Sequence, residues 1–263
     1  MYIGFFDSGM GGITVLHEAV KLLPDINYLY YADTLNVPYG TKEKNIVRKY
    51  IFDAVDFLIT REVDALVIAC NTATSIAIKS LREKHKIPIV GMEPAVKPAV
   101  ERCKDKRVLV LATPLTLQED KFEDLVSKVD SENIVDALPL PGLVDYTEAF
   151  QFDGYKVISY LKKSLSGFNL DNYGTVVLGC THFIYFRKLL KKILPDHIDV
   201  IDGNLGTVNH LKNIIEEKGL YSSRNAKQRK ILDDTALPNI SFFISGKEEN
   251  KDIFNKYLNI LSL

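Results

Sequence analysis

Two short segments of the 263-residue chain carry its most reactive side chains. One is Leu66-Val67-Ile68-Ala69-Cys70-Asn71-Thr72-Ala73-Thr74, and the other is Val176-Val177-Leu178-Gly179-Cys180-Thr181-His182. In each, an apolar run ends in a small residue, a cysteine, and then hydroxyl or amide side chains. The apolar run fits a fully buried strand. Polar residues at such a strand's carboxyl end lie where open α/β sheets bind ligands. The pattern predicts two thiols aimed at one site. A thiol's chemistry depends on its ionisation: free cysteine titrates near about pH 8.5, and a helix N-terminus or a cation lowers that. Cys70 and Cys180 each precede a predicted helix, so the backbone dipole is expected to favour the thiolate. Most free cysteines are small buried hydrophobes, but the repeated context favours chemistry at these two. Cys103, in Glu101-Arg102-Cys103-Lys104, lacks that context and reads as a bystander on a helix.

The elements that must position the thiols follow from periodicity. Tyr2-Ile3-Gly4-Phe5-Phe6 predicts a strand, and Asp7-Ser8-Gly9-Met10-Gly11-Gly12 a glycine-rich turn. Val15, Leu16, Ala19, Val20 and Leu23 then mark one face of a helix. Such a turn presents backbone N–H groups to an anion. Its glycine spacing is neither a dinucleotide nor a P-loop fingerprint, and no Lys-Ser/Thr follows, so a carboxylate fits better than a phosphate. Asp7 reads equally well as a ligand-side residue or a helix N-cap. A second strand at residues 27–31 empties into Ala32-Asp33-Thr34 and Val37-Pro38-Tyr39-Gly40, a loop rich in turn residues. A helix over 41–61, a strand over 63–69 delivering Cys70, a helix over 72–84 and a strand over 87–90 complete a βαβαβαβ series.

After Gly91-Met92-Glu93-Pro94 and a helix over 95–103 the series begins again. A strand over 107–111 ends at Ala112-Thr113-Pro114, followed by a helix over 115–127 and a strand over 133–138. Helices over 143–150 and 154–165 precede the strand over 175–179 that delivers Cys180. A helix over 184–194 and a strand over 198–201 lead to the second crossing, Asp202-Gly203-Asn204. The tail predicts a helix near 207–218, a strand over 240–244 and a helix over 248–258. The basic stretch Ser222–Lys230 reads as a solvated loop. The fold class expected is α/β, with two similar parallel-sheet domains and the active site in the cleft between them. The first domain would comprise residues 1–95 plus 206–263, and the second residues 96–205.

A formal charge of −1 gives no reason to expect nucleic acid or an acidic membrane as partner. No apolar run approaches the roughly 20 residues that span a bilayer. Met1-Tyr2-Ile3-Gly4 lacks the features of a signal peptide, so a cytoplasmic location is expected. Three cysteines make no disulfide framework. None has a second cysteine at zinc-ligand spacing, so no metal is expected.

The motifs resemble those of glutamate racemases, within the aspartate/glutamate racemase superfamily. Asp7-Ser8-Gly9-x-Gly11-Gly12 is similar to that family's opening, and Pro38-Tyr39-Gly40 to its second loop. Cys70-Asn71-Thr72-Ala73 and Gly179-Cys180-Thr181-His182 resemble its two catalytic motifs, with Glu93-Pro94 and Ala112-Thr113 also in register. The resemblance runs from Ile3 to about Asp202. It implies that Cys70 and Cys180 are the acid/base pair, Cys70 deprotonating D-glutamate and Cys180 L-glutamate. It further implies that Asp7 assists Cys70 and His182 assists Cys180. Asp7, Ser8, Pro38, Tyr39, Gly40, Asn71, Thr72, Thr113, Thr181 and His182 would hold the amino acid. A Leu-Val-Glu motif of the family reads Leu143-Val144-Asp145 here, with Glu148 three residues on. Either Asp145 serves with a shorter arm or Glu148 replaces it. Family members supply D-glutamate to peptidoglycan and form dimers, which implies the same role and a homodimer here.

Racemisation removes a proton from one face of an α-carbon and delivers another to the opposite face. Two thiols on facing strand ends satisfy that geometry without a base that swings around the substrate. The carbanion needs preorganised donors, and the hydroxyl and amide groups at 8, 71, 72, 113 and 181 suit the task. No lysine sits at these strand ends to form a Schiff base, so a cofactor-independent enzyme is expected. The rivals are a racemase for aspartate or another amino acid, and a non-catalytic two-domain amino-acid-binding protein.

Overall fold

Long apolar runs separated by amphipathic segments fold here into two sheets with helices packed on both faces. The computed structural model describes residues 1–103, 105–220 and 239–262. The basic stretch Ser222–Lys230 lies outside the described residues. The first sheet comprises β1 (Tyr2–Asp7), β2 (Asn27–Ala32), β3 (Ala65–Ile68) and β4 (Ile89–Gly91). The second comprises β5 (Arg107–Ala112), β6 (Val135–Pro139), β7 (Tyr173–Leu178) and β8 (Asp199–Asp202). The chain then returns to the first sheet with β9 (Ile240–Ile244) and β10 (Lys247–Glu249).

Strand order is β10-β9-β2-β1-β3-β4 in one sheet and β6-β5-β7-β8 in the other. All pairings are parallel except β9 with β10, an antiparallel edge hairpin. That hairpin corrects the expected helix start at 248: the last helix is Lys251–Ser262. Ser245 and Gly246 turn the hairpin with positive φ, at 46° and 87°.

The order 2-1-3-4 recurs as 6-5-7-8, so each four-strand unit reverses direction once. The reversal falls between β1 and β3 in the first sheet and between β5 and β7 in the second. Such switch points leave a crevice beyond the carboxyl ends of the strands, where ligands bind. Asp7 ends β1 and Cys70 follows β3, while Thr113 follows β5 and Cys180 follows β7. Both cysteine motifs therefore occupy switch points because the chain order puts them there.

Burial explains the apolar runs. Ile3 and Phe5 point to one face of the first sheet and Phe6 to the other, all fully buried. Leu109 and Leu111 face one layer of the second sheet, Val108 and Val110 the other. Helix Val96–Arg102 packs on the second sheet, and helix Asn204–Glu217 packs back on the first. The chain crosses between sheets at residues 92–95 and at Gly203, where a β-carbon would crowd the Glu93 carbonyl. The helix expected over 115–127 is two: Pro114–Leu117 and Asp120–Val129. Among the described residues, no helix is long and apolar enough to cross a membrane.

Candidate active site

Cys70 sits at the start of helix Asn71–Lys84 with extended backbone. Its Sγ accepts the Ala73 N–H at 3.4 Å and lies 3.6 Å from Ser8 Oγ. The residue is 5% exposed. Burial pushes the thiol up to about 12, and the neighbouring Asp7 adds to the rise; the Ala73 N–H and Ser8 oppose it. The capping geometry expected from sequence is present, yet its expected consequence is not. One N–H and one hydroxyl do not offset desolvation in a site this dry.

Asp7 is wholly buried. It does not cap the following helix, whose N-cap is Gly12. Its carboxylate instead accepts the Gly9 N–H at 3.0 Å and the Thr181 hydroxyl at 3.1 Å. Burial raises the carboxyl to about 6, against the pull of His182 and those two donors.

On the facing sheet, Cys180 is followed by a 3-10 segment, Thr181–Phe186, and then helix Arg187–Ile193. The helix expected over 184–194 thus starts three residues later, at Arg187, after a stretch of tighter winding, and the Cys180 thiol caps no backbone N–H. Side chains three apart eclipse one another in that winding. It turns Phe183 and Phe186 together into the core, where both are fully buried. Cys180 is supported by a side chain instead. His182 Nδ1 lies 3.8 Å from its Sγ and 3.3 Å from Thr181 Oγ1. The other ring nitrogen, Nε2, meets Glu148 Oε1 at 2.7 Å. Burial of His182 disfavours its charge, but Cys180 and Glu148 more than compensate and hold the imidazole well above its usual pKa.

Glu148 ends helix Gly142–Glu148, and its Oε1 also accepts the Met10 N–H at 2.7 Å. Asp145, one turn earlier, is exposed to solvent, while Leu143, Val144 and Thr147 take the buried positions. Of the two carboxylates, Glu148 is the one that meets the His182 ring. The glycine-rich turn permits this approach. A β-carbon on Gly9 would overlap the Glu148 carboxylate, and one on Gly11 would overlap the His182 ring.

A second polar cluster joins the sheets. The hydroxyls of Thr72, Thr113 and Thr116 form a triangle with sides of 2.9, 3.0 and 2.8 Å. Gly40 abuts Thr113, and its carbonyl accepts the Leu115 N–H at 3.0 Å. Asn71 donates its amide to the Met92 carbonyl at 3.4 Å. The Tyr39 hydroxyl donates to Asp33 at 2.6 Å, and the half-buried Pro38 gives its carbonyl to Lys42 at 2.9 Å. Ser8, Cys70, Asp7, Thr181, His182, Glu148 and Cys180 thus share contacts in one buried seam, beside the threonine triangle. Asp33, Thr116, Tyr30 and Tyr185 also serve the site without being singled out from sequence. The hydroxyls of Tyr30 and Tyr185 hold the carbonyls of Gly9 and Met10 at 2.7 and 3.1 Å. Among the described residues, no group of three His, Cys, Asp or Glu side chains is placed to hold a metal ion.

Residues 16–211 match the Asp/Glu/Hydantoin racemase family, and the chain belongs to it. Within that family it is 61% identical to the glutamate racemase of Halothermothrix orenii, over 99% of each chain. The fold is similar to glutamate racemase from Campylobacter jejuni subsp. jejuni, with TM-score 0.79, 27% identity and 99% of both chains covered. It is also similar to glutamate racemase from Francisella tularensis in complex with D-glutamate, with TM-score 0.78, 28% identity and 99% and 93% of the chains covered.

Two outcomes follow from this geometry. Glu148→Gln is expected to reduce turnover about 10-fold or more by weakening the charge-assisted bond to His182, whereas Asp145→Asn stays within about twofold; steady-state kinetics of the two purified variants compares them. Asp7, with its carboxyl raised from 3.8 to about 6, opposes folding once ionised. Its contribution therefore falls as pH rises through that interval and is constant above it, a change on the order of 3 kcal/mol. Urea denaturation from pH 4 to 7 should show Asp7→Asn gaining stability relative to the parent chain across that window. Parallel curves would refute the assignment.

Proposed function

We propose that the chain interconverts L- and D-glutamate without a cofactor, using Cys70 and Cys180 as acid and base on opposite faces of the α-carbon. One observation carries this reading: each sheet's switch point delivers one thiol to the same buried seam, and each thiol has its own partner, Ser8 for Cys70 and His182 for Cys180. The proposed domain division is residues 1–95 plus 206–263 and residues 96–205, with the substrate between them.

The electrostatics support a defined resting state. Cys70, pushed up to about 12, meets the substrate as a thiol. A cationic His182 beside Cys180 stabilises negative charge on that sulfur. In the L-to-D direction Cys180 takes the α-proton and Cys70 delivers its own to the opposite face. The electron pair left at the α-carbon spreads into the adjoining carboxylate, and fixed donors must meet it there. Ser8, Asn71, Thr72, Thr113 and Thr181 supply hydroxyls and an amide, and the loop at Pro38-Tyr39-Gly40 closes that side. Hydroxyls can turn from one another toward a carboxylate, so the threonine triangle is a store of donors. Glutamate as substrate is supported by the glutamate racemase relatives and by D-glutamate in one similar structure. The motif resemblance supports a cytoplasmic role supplying D-glutamate to peptidoglycan.

Deuterium incorporation from heavy water at the α-carbon tests this directly. The parent chain should label both enantiomers of glutamate, and Cys70→Ser and Cys180→Ser should each lose about 10²–10⁴-fold in racemisation. Added pyridoxal phosphate should leave the rate of dialysed enzyme unchanged. Labelling of aspartate alone would reassign the substrate, and labelling of neither amino acid would leave an amino-acid-binding protein.

A further inference from the structure

The last helix, Lys251–Ser262, packs on the first sheet, where Phe254 meets Phe242 with ring centroids 4.4 Å apart. One of its side chains reaches across to the other half of the seam. Tyr257, 5% exposed, donates its hydroxyl to the Thr147 carbonyl at 3.0 Å, 110 residues away in sequence. Thr147 directly precedes Glu148, and its own hydroxyl lies 3.2 Å from the His182 carbonyl and 2.9 Å from that of Leu143. The Tyr257 ring stands edge-on to Phe150, with centroids 5.2 Å apart, and to Tyr185 at 5.6 Å. Tyr185 in turn holds the Met10 carbonyl, and the Met10 N–H holds Glu148. Tyr257 is therefore the point where the C-terminal helix grips both supports of the Glu148 carboxylate.

We propose that Tyr257 is a positioning residue for racemisation: its hydroxyl fixes the end of helix Gly142–Glu148 so that Glu148 stays bonded to His182 beside Cys180. Helix Gly142–Glu148 is only two turns long, and the residues just after it bond its end: the N–H groups of Ala149, Phe150 and Gln151 reach the carbonyls of Asp145, Thr147 and Tyr146 at 3.0, 2.9 and 2.8 Å. The Tyr257 hydroxyl is a second donor on the Thr147 carbonyl, and it alone of these comes from the C-terminal helix. Without it, the helix end loses its tie to the C-terminal helix, and even a small displacement of a group that must meet the reacting atoms costs rate. Burial and the nearby Glu148 both raise the Tyr257 hydroxyl above its usual range, so it remains a donor throughout the working pH. The titratable groups facing His182 are Cys180, Glu148 and, through Thr181, Asp7. This inference rests on the assignment of Cys180 and His182 to proton transfer.

Tyr257→Phe removes the hydroxyl and keeps the ring. Its kcat for glutamate racemisation is expected to fall about 3- to 10-fold with KM within about twofold. In a Glu148→Gln background the same change should add less than about twofold, because the two residues act as one unit. Independently of turnover, NMR titration of histidine-labelled, ligand-free protein should show the His182 midpoint lowered in Tyr257→Phe by about half a unit or more. Equal losses in both backgrounds, an unchanged kcat, or a rise in KM alone would overturn the proposal. So would an unmoved His182 midpoint. A parent chain that exchanges no amino acid would instead overturn the function, and the NMR comparison would still decide whether Tyr257 positions Glu148.

Discussion

One oxygen atom holds the site together. Oε1 of Glu148 receives the Met10 N–H from the glycine-rich turn of the first sheet and meets His182 Nε2 of the second, each at 2.7 Å. A buried imidazolium is tolerable only when paired, and this carboxylate supplies the pairing. The bond requires the turn's backbone to lie almost against the His182 ring, which is why Gly9 and Gly11 carry no side chain there. It also ties residues 138 positions apart in sequence. The contact is thus both an electrostatic support and a clamp between the two sheets.

The remaining charges of the seam arrange themselves around that pair. Thr181 bridges Asp7 and the His182 ring, donating to the carboxylate at 3.1 Å. Asp7 feels His182 pulling its carboxyl down and burial and Glu148 pushing it up, and burial prevails. A carboxyl poised near about 6 beside Cys70 changes protonation within the range where an enzyme works. The two thiols also sense each other, since Cys180 adds to the rise at Cys70. Asp7, Cys70 and His182 are therefore each shifted by burial and by their neighbours in the seam.

Much of the fold was readable because parallel strands buried on both faces are written as plain apolar runs. The residues that follow them, Asp7, Cys70, Thr113 and Cys180, then fall at strand ends without further assumption. What escaped reading depends on tertiary contact. The 3-10 winding after Cys180 follows from the need to bury Phe183 and Phe186 together, which periodicity over six residues does not reveal. The antiparallel hairpin at Lys247–Glu249 is short and charged, and it pairs only at the sheet's edge. Spacing of three along a short helix leaves Asp145 and Glu148 equivalent; only the packed helix exposes one and sets the partly buried carboxylate of the other against Met10. Tyr30, Tyr185 and Tyr257 act through hydrogen bonds to distant segments, and no local pattern marks such a partner.

The unlike surroundings of the two cysteines bear on how a reaction between mirror images is run. In the proposed racemisation one sulfur must be ready to take a proton while the other is ready to give one. Two thiols in identical surroundings would tend to be protonated or ionised alike, and neither condition supports transfer across the α-carbon. Here Cys70 is held as a thiol by dry surroundings and a nearby carboxyl, while Cys180 faces an imidazole held cationic by Glu148. In the proposed reaction one turnover exchanges the protonation states of the two sulfurs. His182 beside Cys180, and Ser8 and Asp7 beside Cys70, are the groups through which the original distribution can be restored. The two strand ends are matched in backbone placement and differ in the side chains that meet each sulfur, so the proposed mechanism joins a symmetric scaffold to unlike surroundings.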